Sequence, residues 1–207
     1  MTKEKALLLV SGGIDSPVAG LVAKEKFDLS AIHFSQEPFT DSSPEEKSLA
    51  AAKKLGLAEL IVVEAGKELQ FIADNSYREY YFVLMKIFFI KASEAIAKQK
   101  EINYLVTGES LGQVSSQTMN NLETINSQVE IEILRPLMFL EKQEIVDISK
   151  KEGFFAASCG KEMCDALASG KPKTKTKLAK VAKEMIKCKM DELVIEAIKK
   201  IRIVKVM

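Results

Sequence analysis

The residues with the clearest chemical content stand together near the start of the chain. Ser11-Gly12-Gly13-Ile14-Asp15-Ser16 is entered from the apolar run Leu7-Leu8-Leu9-Val10 and left through Pro17. Small residues between a strand and a helix start leave several backbone N–H groups pointing at one spot, which suits an anion. No Gly-Lys-Ser/Thr follows and the loop is short, so it is not the Walker phosphate loop. Asp15 sharpens the chemistry. A carboxylate beside phosphates repels them unless Mg²⁺ bridges the two, so its presence suggests metal-assisted phosphate chemistry rather than simple binding. A tight strand-to-helix turn, with glycines serving packing alone, accounts for the same small residues without a ligand.

Other candidates are scattered. His33 is the only histidine and follows two apolar residues, as a ligand or as a core histidine. Lys86 and Lys91 are the only charges in the middle of a long apolar helix, where a lysine can snorkel. Gln117, a little beyond Gly108-Glu109-Ser110-Leu111-Gly112-Gln113, reads on its own as an exposed helix residue.

Elements that alternate strand and helix must position these residues. Strands are expected at Leu7–Val10, Leu29–Phe34, Leu60–Val63, Tyr104–Thr107 and Ile131–Leu134. Between them the spacing predicts a helix after the loop, capped by Ser16 with Pro17 as its first residue, then helices at Glu45–Leu55 and Ser76–Ala97. A further helix is capped by Ser115 or Ser116 and runs to about Ser127, and another spans Glu141–Lys151. Alternation of this kind implies a doubly wound α/β fold with a mostly parallel five-stranded sheet, helices covering both faces. Ligands bind such sheets beyond the carboxyl ends of the strands, where the Ser11–Ser16 and Gly108–Gln113 loops both fall.

The expected organisation is residues 1–153 as the nucleotide-binding α/β domain and 154–207 as an extension of it. That extension carries a cysteine-bearing loop and helices at Lys177–Lys187 and Asp191–Ile201, and reads as a helical appendage rather than sheet. Net charge is +1 over 207 residues, but twelve Lys/Arg against four Asp/Glu from Lys171 onward leave about −7 for the rest. A basic segment on an acidic body suits nucleic acid, although a solvated helix pair would look the same. Lys173, Lys175 and Lys177 are its candidate RNA contacts. No apolar run reaches membrane-spanning length. Met-Thr-Lys-Glu-Lys leads straight into the first strand, leaving no room for a signal peptide. Three cysteines without such a signal point to a reducing, cytoplasmic setting.

Five motifs occur in order: Ser11–Gly20, Ala31–Phe34, Gly108–Gln117, Leu134-Arg-Pro-Leu137 and Lys171-Pro-Lys-Thr174. Together they resemble the catalytic domain of the tRNA 4-thiouridine synthetases, the ThiI-type sulfurtransferases, and the first alone resembles the pyrophosphate (PP) loop of the wider ATP pyrophosphatases. The resemblance implies the PP-loop fold and ATP-dependent adenylation of a tRNA uridine, with pyrophosphate leaving and sulfur from a persulfide then displacing AMP. It implies that Ser11, Gly12, Gly13 and Ser16 hold phosphates and that Asp15 acts with Mg²⁺. Leu8, Leu9, His33 and Phe34 would frame the nucleotide, with Gly108 and Gln117 on its other side and Lys86 as a basic ATP contact. Cys164 falls where the family keeps a cysteine that helps release sulfur by forming a disulfide. The thiolate this needs would be favoured by Lys161 and the lysine run. Cys159, Cys164 and Cys188 also admit an iron–sulfur cluster with one open site, as in some tRNA-thiolating relatives, although packing accounts equally for Cys159 and Cys188.

Longer members carry THUMP and ferredoxin-like domains that dock tRNA, and some add a rhodanese domain. This sequence opens on the catalytic strand, so the resemblance implies tRNA, a separate THUMP-type docking protein and a persulfide or sulfide donor as partners, with a homodimer left open. Ile87 stands where relatives often have a second basic residue. Two rivals remain: a related enzyme adenylating another nucleoside or a small molecule, and a non-catalytic nucleotide-binding module. Asp15 and Cys164 speak against the module, because binding alone requires neither.

Overall fold

The computed structural model describes residues 3–111, 117–158, 167 and 173–206. Along the chain run β1 (Glu4–Leu9), α1 (Asp15–Ala23), β2 (Phe27–Ser35), α2 (Ser43–Lys54), β3 (Glu59–Glu64), α3 (Gly66–Asn75), α4 (Tyr81–Gln99), β4 (Tyr104–Val106), α5 (Met119–Asn126) and β5 (Glu132–Leu134). There follow α6 (Lys142–Lys151), the short α7 (Phe155–Ser158), α8 (Leu178–Lys187), α9 (Met190–Ile198) and β6 (Ile201–Lys205). The strands form one sheet in the order β5-β4-β1-β2-β3-β6. All neighbours are parallel except β3 and β6, which pair antiparallel.

Alternation along each strand divides the core between the two faces of the sheet. Leu7, Ile32, Ile61 and Leu105 face one side and pack with Leu84, Phe88 and Val194 of α4 and α9. Leu8, Ala31, Val62 and Val106 face the other and pack with Val18, Ala52 and Ile145 of α1, α2 and α6. Strands buried on both faces read as continuous apolar runs, which is why Leu7–Val10 and Leu60–Val63 were visible in sequence. Strand order reverses beside β1, between β2 and β4. Leu8 pairs with Val106 and Leu9 with Ile32, so the three strands end at nearly one level and open a crevice there.

The structure corrects four local expectations. The sheet has six strands, because the C-terminal segment returns as β6 along the outer edge of β3 rather than forming a purely helical appendage. Arg202 fastens that edge through Glu45 at 2.9 Å and Glu64 at 3.2 Å. The expected Ser76–Ala97 helix starts later, at Tyr81, after a 3₁₀ turn over Arg78–Tyr80. Ser76 is extended and ends α3, a helix that apolar spacing did not reveal; its hydroxyl donates to the Ile72 carbonyl at 2.7 Å. Ser16 does not cap α1: Ile14 is the cap residue, and Pro17 is tolerated within the first turn. Thr118 caps α5 by accepting from the Asn121 N–H, whereas Ser115 and Ser116 lie outside the described residues.

Candidate functional site

The loop between β1 and α1 is closed by its own serines. Ser16 Oγ accepts the Ser11 N–H at 2.9 Å, and the two hydroxyls lie 3.2 Å apart. Ser11 Oγ also accepts the Gly13 N–H at 3.4 Å. Two neighbours press on this turn. A Cβ on Gly12 would lie 3.2 Å from Pro44 Cα at the start of α2. A Cβ on Gly108 would lie 2.7 Å from Ser16 N and 2.8 Å from the Asp15 carbonyl carbon, so only glycine lets the chain leaving β4 rest on the first turn of α1. The loops after β1 and β4 are therefore in direct contact.

Charge gathers around that contact. Asp15, half-buried at the start of α1, receives a hydrogen bond from Lys142 Nζ at 2.6 Å. Lys142 is the first residue of α6, whose capping box involves Glu141 and Glu144. It was not among the sequence candidates. Its local signal was slight: a lysine opening the amphipathic helix that follows the Leu134–Leu137 motif. Glu109, next to Gly108, is buried and takes the Lys86 ammonium on Oε1 and the Arg135 Nε on Oε2, the latter at 2.8 Å. Burial alone would raise the Glu109 pKa, but the two cations outweigh it and hold the carboxyl at about 2. Lys86 therefore pairs inward rather than snorkelling. Glu109 and Arg135 were also missed as site residues, since neither spacing nor composition marks a pair that meets across separate strands.

At the end of β2, His33 Nδ1 lies 3.1 Å from the Val10 carbonyl and 3.0 Å from Ser48 Oγ, while Ser48 donates to the Pro44 carbonyl at 2.7 Å. Burial pushes the His33 pKa below its usual value, so the ring is neutral near pH 7. Its Nε2 is buried and has no hydrogen-bond partner among the described residues. Phe34 stacks on Phe89 with centroids 4.4 Å apart, and Leu8 is fully buried, so both side chains belong to the core. What Leu8 and Phe34 can offer a ligand is backbone. Leu9 is partly buried against the core. Gln117 Oε1 accepts the Ser110 N–H at 3.3 Å, tying the far side of the crevice together.

The described C-terminal residues divide by contact. Buried Asn121 donates to the Lys173 carbonyl at 2.8 Å and accepts from the Thr176 hydroxyl at 2.9 Å, strapping residues 173–176 onto α5. Lys173 Nζ donates to Glu79 at 2.8 Å, whereas Lys175 and Lys177 are exposed. Cys159 and Cys164 lie outside the described residues. Cys188 is buried in the core with its thiol toward the Met185 carbonyl, and burial pushes its pKa up to about 11. A protonated thiol in apolar surroundings packs; it does not suit iron ligation. No group of three or more metal-ligating side chains occurs among the described residues.

Taken together, the strand ends offer a closed anion loop, one accessible carboxylate, three cations and a buried imidazole nitrogen without a partner among the described residues. That combination fits a nucleotide polyphosphate, with Asp15 the residue that would hold a Mg²⁺ against it. Comparison with known proteins points the same way. The model of the family described as "Thiamine biosynthesis protein (ThiI)" matches residues 1–190. A probable tRNA sulfurtransferase of Alkaliphilus oremlandii is 36% identical over 212 residues, covering 99% of this chain and 54% of the relative. That of Oceanobacillus iheyensis is 40% identical over 187 residues, covering 87% and 47%. The chain thus spans about half the length of the curated relatives it matches. Among solved structures, a 4-thiouridine synthetase–RNA complex with bound ATP superposes with TM-score 0.91 at 29% identity, over 97% of this chain and 55% of that one. An NH3-dependent NAD synthetase from Campylobacter jejuni, at TM-score 0.55 and 14% identity over 97% of this chain and 86% of that one, shares the fold.

Proposed function

The chain belongs to the ThiI family, and from that footing we propose that it is the ATP-using part of a tRNA-thiolating enzyme. ATP adenylates a uridine of tRNA at O4, pyrophosphate leaves, and a sulfur nucleophile then displaces AMP at C4 to give 4-thiouridine. The observation that carries this reading is the Asp15–Lys142 pair at 2.6 Å, set over the serine-closed loop where β1 meets α1. A structural relative, a 4-thiouridine synthetase solved in complex with RNA and with bound ATP, supports it.

Each role is read from the residue's chemistry and, for the described residues, supported by its place at the strand ends. Ser11, Gly12, Gly13 and Ser16 surround the phosphates with N–H and hydroxyl donors. Asp15 is the residue that would hold a Mg²⁺, and the ion would neutralise phosphates that the carboxylate would otherwise repel. Lys142, already beside Asp15, meets the charge that accumulates as pyrophosphate departs, and Lys86 does so from α4. His33 is neutral and offers Nε2 as an acceptor at the β2 end, with Leu8, Leu9, Phe34 and Gly108 contributing backbone and Gln117 closing the other side. Cys164, which lies outside the described residues, takes the role the family resemblance implies. A donor persulfide R–S–S⁻ displaces AMP at C4, and the Cys164 thiolate then attacks the sulfur bonded to R, forming a Cys164–S–S–R disulfide and releasing 4-thiouridine. A sulfide donor displaces AMP directly. Lys175 and Lys177 meet the RNA backbone, a THUMP-type module docks the tRNA, and the setting is cytoplasmic; no helix among the described residues is long and apolar enough to cross a membrane.

The test is mass spectrometry of nucleosides from unmodified tRNA incubated with protein, ATP, Mg²⁺, a persulfide donor and a THUMP protein. ATP-dependent 4-thiouridine is the expected product. ATP turnover on a small molecule, with no thiolation, would replace the tRNA reading by the small-molecule one.

A further inference from the structure

Three charges at the end of β4 form one unit. Glu109 Oε1 accepts from Lys86, and Oε2 accepts from Arg135 Nε at 2.8 Å and from the Thr107 hydroxyl at 3.3 Å. Arg135 is braced from behind, its Nη2 donating to Asn126 Oδ1 at 2.8 Å. Glu109 is 8% exposed and the Arg135 side chain 5%, so neither charge is tolerable there without the other. Two cations share one carboxylate, and the unit keeps a net positive charge.

Lys86 reaches this unit from an apolar stretch of α4, between buried Met85 and Ile87. Its four-carbon stem has many rotamers, and Glu109 is its only ion-pair partner among the described residues. The other end of the contact is fixed. Gly108 sits so close to Ser16 N and the Asp15 carbonyl that the backbone leading into Glu109 is indexed to the phosphate loop itself. A carboxylate held at a set distance from the loop, and gripping a flexible lysine, transfers that distance to the ammonium.

We propose that Glu109, with Arg135 behind it, is a positioning residue for nucleotide chemistry: it holds the Lys86 ammonium in place relative to the Ser11–Ser16 loop. The proposal rests on the reading of Lys86 as a nucleotide contact. A cation pre-set against developing charge need not reorganise during reaction, and that is where its benefit lies. The carboxylate therefore does its work without touching substrate.

The test uses the full chain, unmodified tRNA and the THUMP protein, measuring pyrophosphate release at saturating ATP, ATP affinity by calorimetry and thermal unfolding. Lys86→Met is expected to slow release by about 10²-fold, as for loss of one pre-set charge-stabilising group. Glu109→Gln should slow it by roughly tenfold while ATP affinity changes less than about threefold, a kcat effect rather than a binding one. In the Lys86→Met background, Glu109→Gln should cost less than about threefold more, because the group it positions is gone. Glu109→Asp keeps the charge and the fold but is one methylene too short to hold both cations, so it should be folded and partly slowed. Equal losses from Glu109→Gln in both backgrounds would mean a purely structural role and overturn the proposal, as would a wild-type rate for folded Glu109→Asp and Glu109→Gln. A wild-type rate for Lys86→Met is a different failure: it removes the nucleotide contact itself, and is visible before any Glu109 variant is made.

Discussion

At the carboxyl ends of β1, β4 and β5, Lys142, Lys86 and Arg135 each touch a carboxylate from another element. In the C-terminal segment, Lys175 and Lys177 stand in solvent without an ion pair among the described residues, and only Lys173 of that run is paired, to Glu79. The two regions carry the same kind of charge under different physics. The Lys86 and Arg135 pairs with Glu109 are mostly buried, hold fixed positions and are screened little by salt, while the half-exposed Lys142–Asp15 pair lies at the mouth between the two regimes. Exposed lysines are mobile and strongly screened, and act by releasing counterions from a polyanion. The first arrangement suits charge that appears on one atom for an instant. The second suits a long, evenly charged backbone.

The sharpest way to break this division is Asp15→Ala. Pyrophosphate release should fall by about 10³-fold or more, because the carboxylate that would hold the metal is lost, while calorimetry finds ATP affinity largely kept. Retained turnover would move the chemistry away from the loop. Lys142→Met comes next, with an expected loss of about 10²–10³-fold in release rate at unchanged thermal stability, since the pair is half-exposed. A Lys142 variant with a normal rate would reduce its pairing with Asp15 to a surface contact.

Acid unfolding probes the buried side of the comparison alone. The Glu109 carboxyl is depressed from 4.5 to about 2 in the folded protein. The unfolded state therefore binds the proton more readily, and the stability this group contributes is full above about pH 4.5 and lost as pH falls toward 2. Glu109→Gln should flatten that part of the stability curve, by on the order of 10² in the folding equilibrium across the window. An unchanged acid limb would mean the ion triad is not formed in solution. The smallest effect belongs to the exposed lysines. Lys175→Ala with Lys177→Ala should reduce the salt slope of tRNA binding by about two units, roughly tenfold in affinity between 50 and 200 mM salt. Lys173→Ala should add little, because Glu79 already neutralises it, and ATP affinity should not move. If Lys173→Ala matches the other two, the Glu79 pair opens on RNA and the boundary between the regions shifts.

What could be read in the sequence follows the same division. Ser11–Ser16, the five parallel strands and α6 announce themselves locally, through small residues in a turn, apolar runs and helical spacing. Lys142 lies 127 residues from Asp15, and Arg135 lies 26 from Glu109, so their pairing exists only once the sheet has brought strand ends to one level. No period or motif encodes such a meeting. Asn121 and Thr176 were opaque for the same reason, their partnership spanning 55 residues. Strand β6 was missed because it is short, carries Arg202 and Lys205, and alternates too weakly for its period to show, as edge strands often do.

That last strand has a consequence for how the protein is made. Ile203 pairs with Ile61, about 140 residues upstream, so the sheet cannot be finished while the chain is still emerging from the ribosome in order. For most of synthesis β3, with four buried apolar residues in its run, presents an unpaired hydrogen-bonding edge to its surroundings. The nascent protein must spend that interval shielded or risk joining a neighbour's edge instead of its own. Pairing of the outer β3 edge therefore waits for β6, the stitch that closes the seam.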